Sequence, residues 1–435
     1  MRGIFRSLKM LLFPLSNPCK EGLIVFKRQF HSSILYLWAF LRWMLTGVLI
    51  GALLGVVGAF FAICVEKATH IRQHHDFLIW LLPAGGLVIA LMYRVMKLPL
   101  SIGTDEIIKT VRTQGHVPFL MAPAIFVSTT LTHLLGGSAG REGAALQLGG
   151  SIGAWVGDLT HPKSDSRRIF ELCGMAALFS ALFGTPVTAA VFVLEIIEVG
   201  RINSRAFLPC FASSVTASIV ARLVGAPEEP WNLASGLQSV GALSYMEAII
   251  LGIACAVMAI VFCTAMHMGG KYARKLIKND FIRIFVGGCL IIALSFLFNT
   301  RDYNGGGMNV IFAALEGNAV PWAFIVKVLF TMITLSCGFK GGEIVPSFFI
   351  GATMGCTVAG LIGMSPALGA ALGLIGMFSG ITNAPIAAII MSVELFGAEY
   401  LPLFGISAAV AFMLSGHFSL YHAQLFAEPQ LGHEE

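Results

Sequence analysis

Charge is what this chain of 435 residues has least of: Asp, Glu, Lys and Arg together make up 12% of it, about half the share of a soluble domain, which is roughly 25%. A water-soluble protein of this length cannot cover itself with so few charges, so the scarcity excludes the ordinary globular classes. Other absences narrow the field further. The nine cysteines contain no CxxC pair and form no cluster with the 11 histidines, so neither a disulfide framework nor a structural metal is expected. Cys64, Cys173, Cys255, Cys289, Cys337 and Cys356 lie in apolar runs and read as small hydrophobes. The phosphate-binding pattern GxxxxGK[ST] does not occur, so no nucleotide is expected to drive the protein and no cofactor is implied. The basic clusters carry no interleaved aromatics or repeats, which argues against nucleic acid as a partner. No metal cluster or Ser–His–Asp spacing points to an enzyme, and the histidines are scattered; His74 and His75 fall beside Asp76 in what reads as a loop.

What is present is oil. Hydrophobic residues make up 57% of the chain and the mean hydropathy is +0.83. Uncharged runs cover 43–65, 172–194, 248–270 and the whole of 344–393, with shorter apolar runs at 77–93, 113–140, 206–221, 284–300 and 400–427. About 18 apolar residues suffice for a spanning helix. The expected class is therefore an all-α, polytopic membrane protein with lipid as its solvent. Residues 1–36, with Arg2, Arg6 and Lys9 and without a clean signal peptide, read as a cytoplasmic arm, and 427–435 as a short polar tail with no regulatory domain appended. Lys163, Arg167 and Arg168, and then Lys271, Arg274, Lys275 and Lys278, mark further cytoplasmic loops where the charges orient the chain and meet lipid headgroups.

The chain also contains itself twice. Residues 174–186 read GMAALFSALFGTP and residues 373–385 read GLIGMFSGITNAP, an offset of 199. Gly174, Phe179, Ser180 and Pro186 fall on Gly373, Phe378, Ser379 and Pro385; nine residues beyond the prolines stand Glu195 and Glu394. Upstream, GSAGREGAALQLGG at 137–150 echoes GFKGGEIVPSFFIGA at 338–352. Two equal halves, about 37–225 and 240–426 within a membrane domain 37–426, suit transporters whose site lies where broken helices meet. The segments 143–157, 186–199 and 385–397 read as short, partial or tilted helices. Glycine is abundant at 48 residues; most of it is expected to serve close helix packing.

The Gly-rich turns are where an anion could sit. Gly140, Arg141, Glu142 and Gly143 precede a helix whose first N–H groups have no partner and whose dipole favours negative charge. Glu142 there is either a capping carboxylate beside Arg141 or a gate whose carboxylate contests the anion's seat and leaves when protonated. In the second half, Gly341 and Gly342 form the turn, Pro346 suits a first helical turn, and Ile344 and Val345 present backbone N–H groups. Glu343 is a cap, an ion-pair partner of Lys340, or a transport residue. A third candidate is LSIGTDEII at Leu100–Ile108, where Ile102 and Gly103 precede an acidic first turn. Tyr421, in YHAQ, is either an interface anchor or a hydroxyl donor. Glu195 and Glu394 read as structural hydrogen-bonding carboxylates, and Glu198 as wetter.

Taken in order, GREG with AALQLGG, FGTPVTAAVFVLEII, GFKGGEIVPSFFIGATMG and SLYHAQ resemble the CLC family of chloride channels and halide/proton antiporters, from about residue 40 to 426. The resemblance implies the CLC-type inverted-repeat fold with many tilted, partial and broken transmembrane helices. It further implies a homodimer with one anion pathway per subunit in a multi-pass cell membrane location, a bacterial inner membrane. Glu142 would be the gating and proton-accepting glutamate. Tyr421 would be the ion-facing tyrosine, and Ile344 and Val345 the backbone donors. The departures are informative. The family's Gly-Ser-Gly-Ile-Pro loop matches Ser101–Asp105, so Ile102 replaces the chloride-selecting serine; Ile344 replaces the usual phenylalanine; Ile196 replaces the internal proton-carrying glutamate, with Glu195 just before it. These changes resemble the CLC-F branch of fluoride/proton antiporters, which implies a proton-coupled fluoride exporter conferring fluoride resistance. A threonine that many of its members carry near Val345 is absent. The alternative is a chloride/proton antiporter or a passive, voltage-gated-type chloride channel.

Overall fold

The computed structural model of the protein describes residues 18–113, 115, 117–160, 166–233 and 236–427, with side chains from residue 36 onward. The basic residues Arg2, Arg6, Lys9 and Lys163, and the polar tail from residue 428, lie outside the described residues. The chain divides into two compact units, Met1–Thr46 and Gly47–Glu435. In the first, described from Pro18, the chain is helical and Tyr36, Trp38, Leu41 and Leu45 are exposed.

Sixteen helices are described, and their breaks follow local chemistry. Helix α1 (Pro18–His74) is followed by a 3₁₀ turn at Asp76–Leu81, so His74 ends a helix and Asp76 opens the next turn instead of sharing a loop. Next come α2 (Leu82–Val95), α3 (Thr104–Thr113), α4 (Met121–Leu135), α5 (Glu142–Thr160), α6 (Ser166–Phe183), α7 (Pro186–Glu195) and α8 (Ser204–Val224). The second half supplies α9 (Ala242–Leu276), α10 (Asp280–Leu297), α11 (Met308–Leu315), α12 (Ala323–Ser336), α13 (Ile344–Ile362), α14 (Pro366–Thr382), α15 (Pro385–Phe396) and α16 (Leu401–Ser415). The uncharged run 344–393 is thus three helices. Gly363 ends the first at φ +83°, where a side chain would be strained, and Asn383 ends the second at φ +53°. Pro366 and Pro385 open the helices that follow, where a missing N–H costs nothing.

Six helical stretches are long and apolar enough to cross a membrane. With 35 residues, α9 is about 52 Å long at 1.5 Å per residue, more than the ~30 Å hydrocarbon core needs. By contrast α7, at 10 residues, and α15, at 12, are partial spans. The third segment, α5, runs for 19 residues, about 28 Å, and is not among those six stretches; its glycines pack into a neighbouring helix and do not break it. A Cβ on Gly149 would collide with the carbonyl of Gly174, and one on Gly351 with the carbonyl of Gly373. Small residues at these repeat-related positions let α5 lie against α6, and α13 against α14, backbone to backbone.

The two halves are joined antiparallel. The Glu195 carboxylate, at the end of α7, accepts from Ile386 N (3.0 Å) and Ala387 N (2.8 Å) at the start of α15. Reciprocally, Glu394 near the end of α15 accepts from Val187 N (2.9 Å), Thr188 N (2.8 Å) and Thr188 Oγ1 (2.5 Å) at the start of α7. Each short helix therefore has its orphan N–H groups satisfied by the other half's glutamate. Arg167 and Arg168, expected to face headgroups, instead donate to the carbonyls of Gly115 and Arg112. Those carbonyls follow or end α3 and lack helical partners. A two-residue parallel ladder pairs β1 (Glu198–Val199) with β2 (Leu425–Phe426); Glu198 is half-buried, 3.9 Å from Arg201.

Candidate functional site

The two Gly-rich turns face each other. Gly140 N donates to Gly342 O (2.8 Å) and Gly342 N to Gly140 O (2.7 Å), an isolated antiparallel bridge between the halves. The approach requires glycine: a Cβ on Gly143 would lie 2.8 Å from Gly342 Cα, and one on Gly140 2.8 Å from Glu142 Oε2 and 2.9 Å from Val345 Cβ. So α5 and α13 start beside one another, with first-turn amides directed at the same small region. Val345, the second residue of α13, precedes Pro346, which has no N–H; the first helical bond over this turn is Ser347 N to Glu343 O (3.1 Å).

Glu142 opens α5 and is 3% exposed. Its carboxylate is folded back onto the turn. Oε2 accepts from Arg141 N (2.9 Å), and Oε1 is 3.5 Å from Arg141 Nε, while Arg141 Nη2 reaches Glu229 Oε1 at 3.1 Å. Glu142 is thus held by the backbone amides of its own turn, those of Arg141 and Glu142, and by a guanidinium it shares with Glu229. On one side it lines a cavity of about 490 Å³ with Arg72, His133, Arg141, Arg301 and Val345.

On the far side of the paired turns lies a second cavity of about 740 Å³, lined by Ser101, Ile102, Gly103, Glu343 and Tyr421 and reaching Arg274 of the basic cluster. Tyr421 is buried, and its hydroxyl has no hydrogen-bond partner among the described residues. Its loop is tied down: Leu420 N donates to Ile381 O (2.9 Å), Tyr421 N to Ser419 Oγ (3.1 Å) and Gln424 Nε2 to Thr382 O (2.8 Å). Helix α3 holds the same loop, because Asp105 Oδ1 accepts from Ala423 N (3.1 Å) and Arg112 donates to Ala423 O. The Tyr421 hydroxyl is therefore buried, fixed by its loop and unpartnered among the described residues, on the wall of this cavity. At the third candidate loop, Ile102 N is used within the turn, donating to Pro99 O (3.0 Å), while Ser101 N and Gly103 N have no acceptor among the described residues.

The structure brings the candidate residues together: Gly140, Arg141, Glu142 and Gly143 against Gly341, Gly342, Glu343, Ile344, Val345 and Pro346, with Ile102, Gly103 and Tyr421 on the cavity beyond. A family model described as voltage gated chloride channel matches residues 85–416. The chain belongs to the CLC family. Among relatives, a chloride/fluoride channel protein of Pseudomonas syringae pv. tomato is 33% identical over 396 residues, covering 88% of this chain and 86% of the relative. An H⁺/Cl⁻ exchange transporter of Vibrio campbellii is 25% identical over 393 residues, 82% of each chain. A solved CLC-type fluoride/proton antiporter superposes with a TM-score of 0.85 at 29% identity, over 89% of this chain and 98% of that one. A slow cyanobacterial Cl⁻/H⁺ antiporter superposes at 0.73 with 21% identity, which speaks for the fold alone. The protein is an all-α, multi-pass membrane protein of this family, most like its fluoride/proton-antiporter branch.

Three charged residues near the site find their partners only in the tertiary structure. Lys340, one of the partners considered for Glu343, makes no ion pair with it among the described residues; its Nζ donates to Leu100 O and Ile102 O, both at 2.8 Å. Lys327 on α12 is fully buried, donating to Tyr303 O (3.1 Å) and Gly305 O (2.7 Å) and lying 5.0 Å from the centre of the Phe349 ring. A lone lysine in the apolar stretch 323–337 was its only sequence signal. Glu229 shares Arg141 with the gate candidate, a pairing across 88 residues that no local pattern announces.

Proposed function

We propose that this CLC protein exports fluoride in exchange for protons, with Glu142 as the exchangeable carboxylate. The observation that carries the reading is the position of Glu142. It is buried on the first turn of α5 and lines a cavity with Arg72, Arg141 and Arg301, while Glu343, one residue before α13, lines a second cavity with Tyr421. An anion and a carboxylate compete for the amides of the paired helix starts. When Glu142 takes a proton its claim on them lapses and the anion passes; when the proton leaves on the other side, the carboxylate returns. Fluoride is small and strongly hydrated, so it needs dense donors in place of water. Gly143, Ile344, Val345, Gly103 and Tyr421 are assigned that task, with Gly140, Gly341, Gly342, Glu343 and Pro346 shaping the break, the Gly140 amide being spent on Gly342 O.

Ile102 in place of a hydroxyl, together with the fluoride/proton antiporter among the solved relatives, favours fluoride over chloride. Proton entry and fluoride exit both carry positive charge inward. A one-for-one exchange therefore gains about 4.6 kcal/mol per 100 mV of inside-negative potential. The functional unit is proposed to be a homodimer in lipid with one pathway per subunit, and residues 37–426 to form the transporting domain.

The test is flux from proteoliposomes, recording fluoride and chloride by electrode and protons by a pH probe together. Proton-coupled fluoride efflux with chloride efflux at least tenfold slower supports the reading. Strong chloride flux with coupled protons makes it a chloride/proton antiporter, and halide flux with no proton movement makes it a passive channel.

A further inference from the structure

We infer that Lys340 is a positioning residue for an anion site at the cavity lined by Tyr421: its ammonium turns two peptide units of the 99–103 loop so that the Ser101 and Gly103 amides, not carbonyl oxygens, face that cavity. The inference deepens the transport reading above and rests on it for the identity of the anion.

Lys340 is 8% exposed, and among the described residues no carboxylate lies within ion-pair distance of it. A buried ammonium is costly unless its donors are satisfied. Two of them go to Leu100 O and Ile102 O, each at 2.8 Å, and the Tyr93 ring lies 4.7 Å from Nζ. No peptide bond among the described residues is cis. In a trans peptide the C=O and the following N–H point in opposite directions. Leu100 O shares its plane with Ser101 N–H, and Ile102 O shares its plane with Gly103 N–H. Drawing both oxygens onto Lys340 therefore aims both N–H groups away from it.

The intervening amide, Ile102 N, is closed onto Pro99 O (3.0 Å). Ser101 N and Gly103 N have no acceptor among the described residues, and both residues line the Tyr421 cavity, whereas Lys340 does not. A Cβ on Gly103 would meet nothing nearer than Ser101 O at 4.0 Å, so space lies open beside that amide. Without the lysine nothing fixes the Ile102–Gly103 plane, and glycine lets it rotate freely. A rotated plane would present a carbonyl oxygen to the anion. Lys340 thus supplies through the backbone the donors that a side-chain hydroxyl at Ile102 would have supplied. It also ties the α13 break, on which it sits, to the loop of the other half.

The experiment uses the full-length protein in liposomes with Lys340→Met, Lys340→Arg and Ile102→Ser, alone and combined, and takes as substrate whichever halide the unaltered protein carries. Failure of the fluoride reading therefore leaves this test intact. Lys340→Met is expected to raise the KM at least tenfold with maximal turnover changed less than threefold, and to lower the fluoride-to-chloride ratio. Lys340→Arg is expected to recover most of the affinity. In the Ile102→Ser background, where a hydroxyl returns, the effect of Lys340→Met on KM is expected to shrink at least threefold. Unchanged KM in Lys340→Met, a fall in turnover alone, or strictly additive effects of the two substitutions would overturn the assignment. Should Lys340→Met fail to give a monodisperse protein, Lys340→Leu, which likewise removes every donor, takes its place with the same outcomes.

Discussion

The helix starts at Glu142 and at Ile344 are the same device built twice, yet they carry different chemistry. Both follow a Gly-rich turn, and both lean on a neighbouring helix through glycine pairs, Gly149 with Gly174 and Gly351 with Gly373. The first puts a carboxylate on the opening turn and faces a cavity with arginines. The second opens with Ile344 and Val345, which offer amides and no charge, and sets Glu343 one residue earlier on the opposite cavity. Duplication supplies the scaffold; unequal side chains at equivalent places give the pathway a direction. The closed halves also show a counterexample, Glu195 and Glu394, where equivalence in sequence is matched by equivalence in role.

This comparison can be broken or sharpened by experiment. The largest effect is expected from Gly351→Leu and Gly149→Leu, whose side chains would run into the carbonyls of Gly373 and Gly174. Both should abolish recovery of a monodisperse protein in detergent, read by size-exclusion chromatography. Recovery of one variant and not the other would show that the halves are not equally packed. Next comes Glu142→Gln, expected to cut proton flux in liposomes to background, at least 100-fold. Val345→Ala, at the other helix start, should leave coupling intact and alter halide flux less than about tenfold; loss of coupling there would end the asymmetry argued above.

A smaller effect is expected at the reciprocal caps. Hydrogen bonds to a charged group contribute about 1.5–3 kcal/mol. Glu394→Ala, which loses three donors, should lower stability against heat more than Glu195→Ala, which loses two. Proton flux near normal in Glu195→Gln is the expected companion result, since its oxygens are engaged by Ile386 and Ala387. The smallest effect on the fold is expected from Tyr421→Phe. Its hydroxyl has no protein partner, so stability should shift by less than about 0.5 kcal/mol, while halide affinity falls about threefold to tenfold.

Much of this was legible in the residues. Scarce charge and long apolar runs imply a membrane protein, and Gly174, Phe179, Ser180, Pro186 and Glu195 repeating at Gly373, Phe378, Ser379, Pro385 and Glu394 imply two halves. The Pro and Gly residues within 344–393 mark three helices, though the absence of charge alone could not say so. The glycines of α5 would weaken a helix in isolation; in lipid the same residues let it pack tightly against α6. The pairing of Lys340 was not legible either. A lysine three residues from a glutamate suggests an ion pair, but its partners are carbonyls about 240 residues away in the chain.

Composition and periodicity by themselves determined the solvent, the duplication and the places where helices break, because those depend on transfer free energies and backbone sterics that act within a few residues. Only the tertiary structure decided which amides stay free, which carboxylates are engaged and which cation steers the loop before α3. Those are matters of angle and distance between segments remote in the chain, such as Gly140 against Gly342 and Lys340 against Ile102, and a one-dimensional pattern does not encode them.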